Sequence, residues 1–168
     1  MNAVGWMDGR SESPWESLLR VFHRACGVPV LPQHTVRGPD GEFVARGDLW
    51  LVGSRMLHEY DGGVHRERRT HREDLARDRR LLAVGWHRRG YVAADLLHRP
   101  EALLREADQT IGRRHRADRL DPWLALLRES LFHDEGRARF ARRLVRPASG
   151  PSHHVSGRET GADGPLAG

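Results

Sequence analysis

Three carboxylates stand where the sequence could use them for chemistry. Asp48 lies inside the apolar run ARGDLWLV, where a charged side chain is costly unless it is paired or holds a metal. Glu59 and Asp61 follow in HEYDGGVH (residues 58–65), at the end of a second apolar stretch. Alternation along a strand puts Glu59 and Asp61 on one face. Ten residues separate Asp48 from Glu59, enough for a strand, a two-residue turn and a return, so antiparallel neighbours would bring Asp48 close to Glu59 and Asp61. Carboxylate oxygens meeting at a strand end suit Mg²⁺, which takes a few of them and keeps waters elsewhere. A hairpin end with solvated charges meets the same spacing, and both readings stand. His58 alternates out of phase with Glu59 and is not a candidate ligand.

The elements that must position these residues are legible from their punctuation. Ser13-Pro14 marks a helix start, with Ser at the cap, Pro at the first helical position and Glu16 completing a capping-box pattern. Leu18, Leu19, Phe22 and Ala25 give that helix an apolar face, and Gly27 with Pro29 ends it. Leu31–Val36, Phe43–Val52 and Met56–Tyr60 read as a three-stranded meander, with turns at GPDG (38–41) and Gly53-Ser54. Residues 65–84 form a charged helix whose face runs Asp74, Arg77, Leu81, Val84. Gly85 stops it, and Trp86–Val92 is a fourth strand. A short helical piece at Asp95–Leu97, a helix from Pro100 to about Arg114, another over Pro122–Leu131 and a basic helical turn at 136–145 complete the order. A helix between the third and fourth strands predicts an α/β fold, with a mixed four-stranded sheet packed by helices.

Composition narrows the classes. The chain has 168 residues and a formal charge of +5, and all 28 of its basic side chains are arginine, so no lysine ammonium can serve in catalysis. Mild basicity favours a polyanion partner only weakly. Cys26 is the single cysteine, which excludes an intrachain disulfide and argues against a thiolate zinc cluster. No stretch approaches the roughly 18 apolar residues of a membrane span, and the N-terminus lacks a basic region followed by an apolar run, so the expected location is the cytoplasm. The expected organisation is a loose lead-in (1–12), a domain (13–116), a C-terminal helical extension (117–146) and a Gly/Ser/Pro/His-rich disordered tail (147–168).

The run PVLPQHTVRGPDGEFVARGDLWLVGSRMLHEYDGGVHR, followed by REDLARDRRLLAVGW, resembles the very-short-patch-repair-endonuclease-like domains of the PD-(D/E)XK, restriction-endonuclease-like superfamily. That pattern has a Glu in the first helix, an Asp in a strand, a strand ending in E-x-D-G with a nearby His, then D-x-x-R-x-x-x-L-x-x-x-G-W. Glu16, Asp48, Glu59 to Gly62, His65, Asp74, Arg77, Leu81, Gly85 and Trp86 match it, over about residues 13–110. Gln33 matches a glutamine common before the second strand.

The resemblance implies a restriction-endonuclease-like fold and metal-dependent hydrolysis of DNA phosphodiesters. Asp48 and Glu59 would hold Mg²⁺ or Mn²⁺, with Glu16 assisting from the first helix. The superfamily motif has a lysine two residues after the second acid, and this chain has Asp61 there. The lysine's part then falls to His65 as acid or base or to Arg77 as a phosphate clamp. Structural alternatives stay open for each: Glu16 as a cap, His65 as a turn residue, Asp74 and Arg77 as an intrahelical pair. The family's fourth strand ends in an arginine, whereas here WHRRGYVA puts Arg88 and Arg89 inside and Gly90 at that place. Adjacent arginines predict an edge, short or distorted strand.

Residues 65–80 hold seven Arg against four acids. Beside a metal site, Arg66, Arg69, Arg72, Arg77 and Arg80 would grip a nucleic-acid backbone without reading bases. Arg137, Arg139, Arg142 and Arg143 could extend that footprint. The leading expectation is a metal-dependent DNA endonuclease domain of low intrinsic sequence specificity, with targeting absent or supplied by a protein partner. The alternative is a nuclease fold whose chemistry has decayed, serving as a DNA-binding or defence-type regulatory module.

Overall fold

The computed structural model describes residues 13–62 and 68–145, apart from the side chains of 68–71, 140 and 143–145. Helix α1 (Pro14–Ala25) begins where the sequence places it: Ser13 is extended, and its Oγ accepts the Glu16 N–H at 3.1 Å, worth about 1 kcal/mol for a cap of this kind. Strands β1 (Val30–Arg37), β2 (Phe43–Leu51) and β3 (Met56–Tyr60) form an antiparallel meander. Helix α2 (Arg68–Ala83) then crosses over to β4 (His87–Tyr91), which pairs with β3 in parallel. The sheet is therefore mixed, in the order β1-β2-β3-β4.

The remaining elements are α3 (Ala93–His98), α4 (Pro100–Thr110), a 3₁₀ turn (Ala117–Leu120), α5 (Asp121–Glu129) and α6 (Asp134–Val145). The helix opened by Pro100 ends four residues before the expected Arg114, and the basic turn at 136–145 is a full twelve-residue helix. Helices α1, α2 and α4 all close the same way. Gly27, Gly85 and Gly112 take positive φ, and the next residue's N–H bonds back to the carbonyl of His23, Leu81 and Asp108 respectively. This is the Schellman motif, whose left-handed residue glycine adopts without steric cost.

Two cores flank the sheet. Leu19 and Phe22 of α1, Leu49 and Leu51 of β2, Leu96, Leu103 and Leu104 pack on one face. Leu120 and Trp123, from the segment expected as an extension, belong to this same core. Trp123 meets Phe22 edge-on at 5.3 Å and donates its indole N–H to the Leu96 carbonyl. On the other face Leu81 of α2 packs with Val36, Val44, Ala45 and Leu57. No helix among the described residues is long and apolar enough to cross a membrane. The expected lead-in (1–12) and disordered tail (147–168) lie outside the described residues.

Candidate active site

Regular alternation fails at Asp48, besides a register shift at Val36/Arg37 near the far end of the β1–β2 ladder. Val30, Leu49 and Leu51 join the core beneath α1, whereas Val36 and Ala45 join the core beneath α2. Undisturbed alternation would keep Val30 with Val36, and Ala45 with Leu49, on one face. Both strands switch at the same level, where the ladder passes from Pro32↔Leu49 to His34↔Gly47 without pairing Gln33 and Asp48. Gln33 there has φ +52°, a left-handed conformation that costs a non-glycine residue roughly 1–2 kcal/mol. Strain of this kind collects at functional sites, and here the Gln33 amide donates to Glu16 Oε2 at 3.3 Å.

The expected approach of Asp48 to Glu59 is present. Leu49 pairs with His58, so Asp48 stands level with Glu59, and its Oδ2 accepts the Tyr60 N–H at 2.9 Å. Burial pushes the Asp48 carboxyl up to about 6. The Tyr60 bond and the Arg77 charge act against that rise, while Glu16 and Glu59 add to it. Three acids thus share a small region of field, and Asp48 carries the electrostatic cost. A carboxyl near 6 is poised either to take a proton at neutral pH or to be relieved by a cation.

Glu59 is held differently. It is 5% exposed, and both its oxygens are engaged by arginine. Arg77 donates Nη1 to Oε2 at 2.9 Å and Nη2 to Oε1, and also reaches the Arg46 carbonyl. Arg88 donates Nη1 to Glu59 Oε2 at 3.2 Å and pairs with Asp78 of α2 through Nε and Nη2. The two arginines doubted in strand four are thereby explained. β4 is an edge strand whose Arg88 turns to the α2 face, while Arg89 pairs with Glu106 of α4 at 3.0 Å.

The other predicted residues fall as follows. Asp61 lies over Gly90, whose Cβ, if present, would sit 1.9 Å from Asp61 Oδ2, and its N–H donates to the Tyr91 carbonyl. Arg77 serves Glu59 rather than standing open for a phosphate or pairing only within its helix. Arg72 and Arg80 are exposed on α2. His65 and Arg66, and the side chain of Arg69, lie outside the described residues.

Among the described residues, no three His, Cys, Asp or Glu side chains come together closely enough to hold one metal ion. The donor set fits a divalent cation in part. Asp48, desolvated beside Glu16, has the chemistry of a hard-ion ligand; Glu59 as it stands is an arginine partner.

Sequence reasoning missed Arg88 as a Glu59 partner. It also missed a buried chain beneath α1. His23 donates Nδ1–H to the Leu19 carbonyl at 2.8 Å, which leaves Nε2 to accept from His58 Nδ1 at 2.9 Å and His58 Nε2 to accept the Tyr91 hydroxyl at 3.3 Å. One direction of donation satisfies both rings in their neutral form. Burial accordingly lowers His23 to about 4 and His58 well below its usual value. His58 is thus structural, in keeping with its phase opposite to Glu59.

Comparison of the chain with protein-family models, with curated proteins and with solved structures returns no match.

Proposed function

We propose that the chain is a metal-dependent nuclease domain of restriction-endonuclease-like type, which hydrolyses DNA phosphodiesters with low intrinsic sequence specificity. The observation that carries this reading is Asp48: a desolvated carboxylate, fixed by a backbone N–H and raised by two further acids. Mg²⁺ or Mn²⁺ would be held by Asp48 with Glu16. A bound cation supplies a water of lowered pKa and neutralises charge on the phosphate. Gln33 orients Glu16 from β1, and the Tyr60 N–H fixes Asp48. Arg77 and Arg88 place Glu59 on the α2 face of β3. Exposed Arg72, Arg79 and Arg80 along α2 supply contacts to phosphates on either side of the scissile one. The domain acts in the cytoplasm.

The test is nicking of a supercoiled plasmid with Mg²⁺ or Mn²⁺, comparing wild type with Asp48→Asn and Glu59→Gln. Nicking by wild type and loss in Asp48→Asn is the expected result. Inertness of wild type across divalent metals overturns the catalytic reading.

One observation favours a second reading. A glutamate with both oxygens committed to guanidinium groups is what a nuclease fold retains when a former ligand has become structural. Under that reading the chain binds DNA without cutting it. Salt-dependent binding that persists in Asp48→Asn, with no cleavage by wild type, distinguishes it.

A further inference from the structure

A row of three aromatic rings begins at Tyr60, whose N–H donates to Asp48, and ends in solvent. Tyr60, between Glu59 and Asp61, stacks on Trp15, the neighbour of Glu16, with centroids 5.3 Å apart and planes 5° from parallel. Trp15 in turn meets Phe132 at 5.7 Å and 38°. At the inner end, a Cβ on Gly62 would come within 3.5 Å of the Tyr60 ring. The outer end is open: Phe132 is 54% exposed, as is Leu131 beside it.

Phe132 is nonetheless held in place. Its N–H donates to Ser130 Oγ at 3.2 Å, Ser130 Oγ donates to the Leu127 carbonyl, and Arg137 donates to the Leu131 carbonyl at 3.0 Å. Helix α6 comes so close behind this turn that a Cβ on Gly136 would sit 1.8 Å from the Ser130 carbonyl oxygen. The backbone that carries Phe132 is thus fixed, and the ring packs on Trp15 and lines an apolar hollow with Leu18 and Leu127 while the residue stays largely exposed.

Arginines and acids alternate on the two helices that meet here. Arg137 bonds the turn itself and pairs with Asp134, Arg139 pairs with Glu129 at 4.0 Å, and Arg128 and Arg142 are exposed on α5 and α6. An aromatic ring with an open face beside arginines is the pairing by which proteins hold single-stranded nucleic acid, since bases stack on the ring and phosphates sit by the cations. A base paired within a duplex offers no free face, so the ring selects an unpaired one.

We infer that the Tyr60–Trp15–Phe132 row is a stacking track for an unpaired nucleobase, and that the chain prefers nucleic acid with a single-stranded segment leading away from the carboxylates. The inference rests on the proposed nuclease reading for the identity of the substrate, but not on the metal or on cleavage.

The test is therefore a binding measurement in EDTA. Fluorescence anisotropy of labelled oligo(dT)15 and of its duplex with oligo(dA)15 is followed at low salt for wild type, Phe132→Ala and Phe132→Tyr. Tighter binding of the single strand by wild type is expected. About tenfold weakening of that binding in Phe132→Ala is expected too, with duplex affinity unchanged and Phe132→Tyr restoring the loss. Circular dichroism confirms that each variant folds. Equal affinity of wild type for the two forms, or a Phe132→Ala variant that binds oligo(dT)15 as wild type does, overturns the inference even if plasmid nicking succeeds. The expected pattern without any nicking would leave the track standing and remove the nuclease.

Discussion

If Asp48 bears the strain of a carboxylate cluster, removing its charge should stabilise the protein. Asp48→Asn keeps an oxygen to accept the Tyr60 N–H and deletes the charge that burial, Glu16 and Glu59 disfavour. A rise of the folded carboxyl from 3.8 to about 6 corresponds to about 3 kcal/mol, at roughly 1.4 kcal/mol per pK unit. Partial solvent exposure of Asp48 reduces this to about 1–2 kcal/mol. For a chain of this length that is a gain of about 3–6 °C in Tm. The sign is set by linkage: the folded state holds the Asp48 proton more tightly than the unfolded chain. Wild type is therefore penalised above pH 6, and the penalty fades as pH falls through 6 towards 3.8. Calorimetric melts of wild type and Asp48→Asn at pH 7.5 and pH 4 measure the difference directly. A more stable variant at the higher pH, converging on wild type at the lower, is the expected result. A destabilised variant at pH 7.5, or a gain independent of pH, would refute the electrostatic reasoning.

Other outcomes follow from the same geometry. Arg88→Ala should destabilise by about 2 kcal/mol in urea titration, because Glu59 and Asp78 each lose a charged hydrogen bond while Arg77 still holds both Glu59 oxygens. The neutral His23 imidazole, lowered from 6.5 to about 4, contributes stability that is present above pH 6.5 and lost as pH falls towards 4. That loss is worth about 3 kcal/mol, and His58 acts in the same direction. Asp48→Asn, which lacks the opposing carboxylate, should therefore lose stability on acidification more steeply than wild type in urea melts at stepped pH. Cys26, 1% exposed and pushed up to about 12, first by burial and then by Asp108, should resist a thiol reagent at pH 8 until denaturant is added. Rapid labelling of the native protein would contradict its burial.

Much of the architecture was readable from punctuation. Ser13-Pro14, Gly27 and Gly85 mark helix ends through backbone constraints that act locally, so no tertiary knowledge was needed. The meander and the approach of Asp48 to Glu59 followed from strand length and turn length. What could not be read was the face switch at Gln33 and Asp48, because a period-two pattern assumes an unbroken ladder, and a positive φ at Gln33 leaves no mark on composition. Arg88 was unreadable for another reason. Its partners Glu59 and Asp78 are 29 and 10 residues away, and a strand holding adjacent arginines looks unfavourable until the carboxylates facing each side are known. The helix after Pro100 was expected to run too long because Ile111 continues its apolar pattern, whereas Gly112 is what ends it.

The account turns on Asp48 being the seat of a divalent cation. Isothermal calorimetry of Mn²⁺ into wild type and into Asp48→Asn tests this before any substrate is chosen, with the folded state of both confirmed by their melts. A saturable one-site heat in wild type that vanishes in the variant is the predicted result. No saturable heat in wild type, or the same isotherm in both proteins, would contradict it.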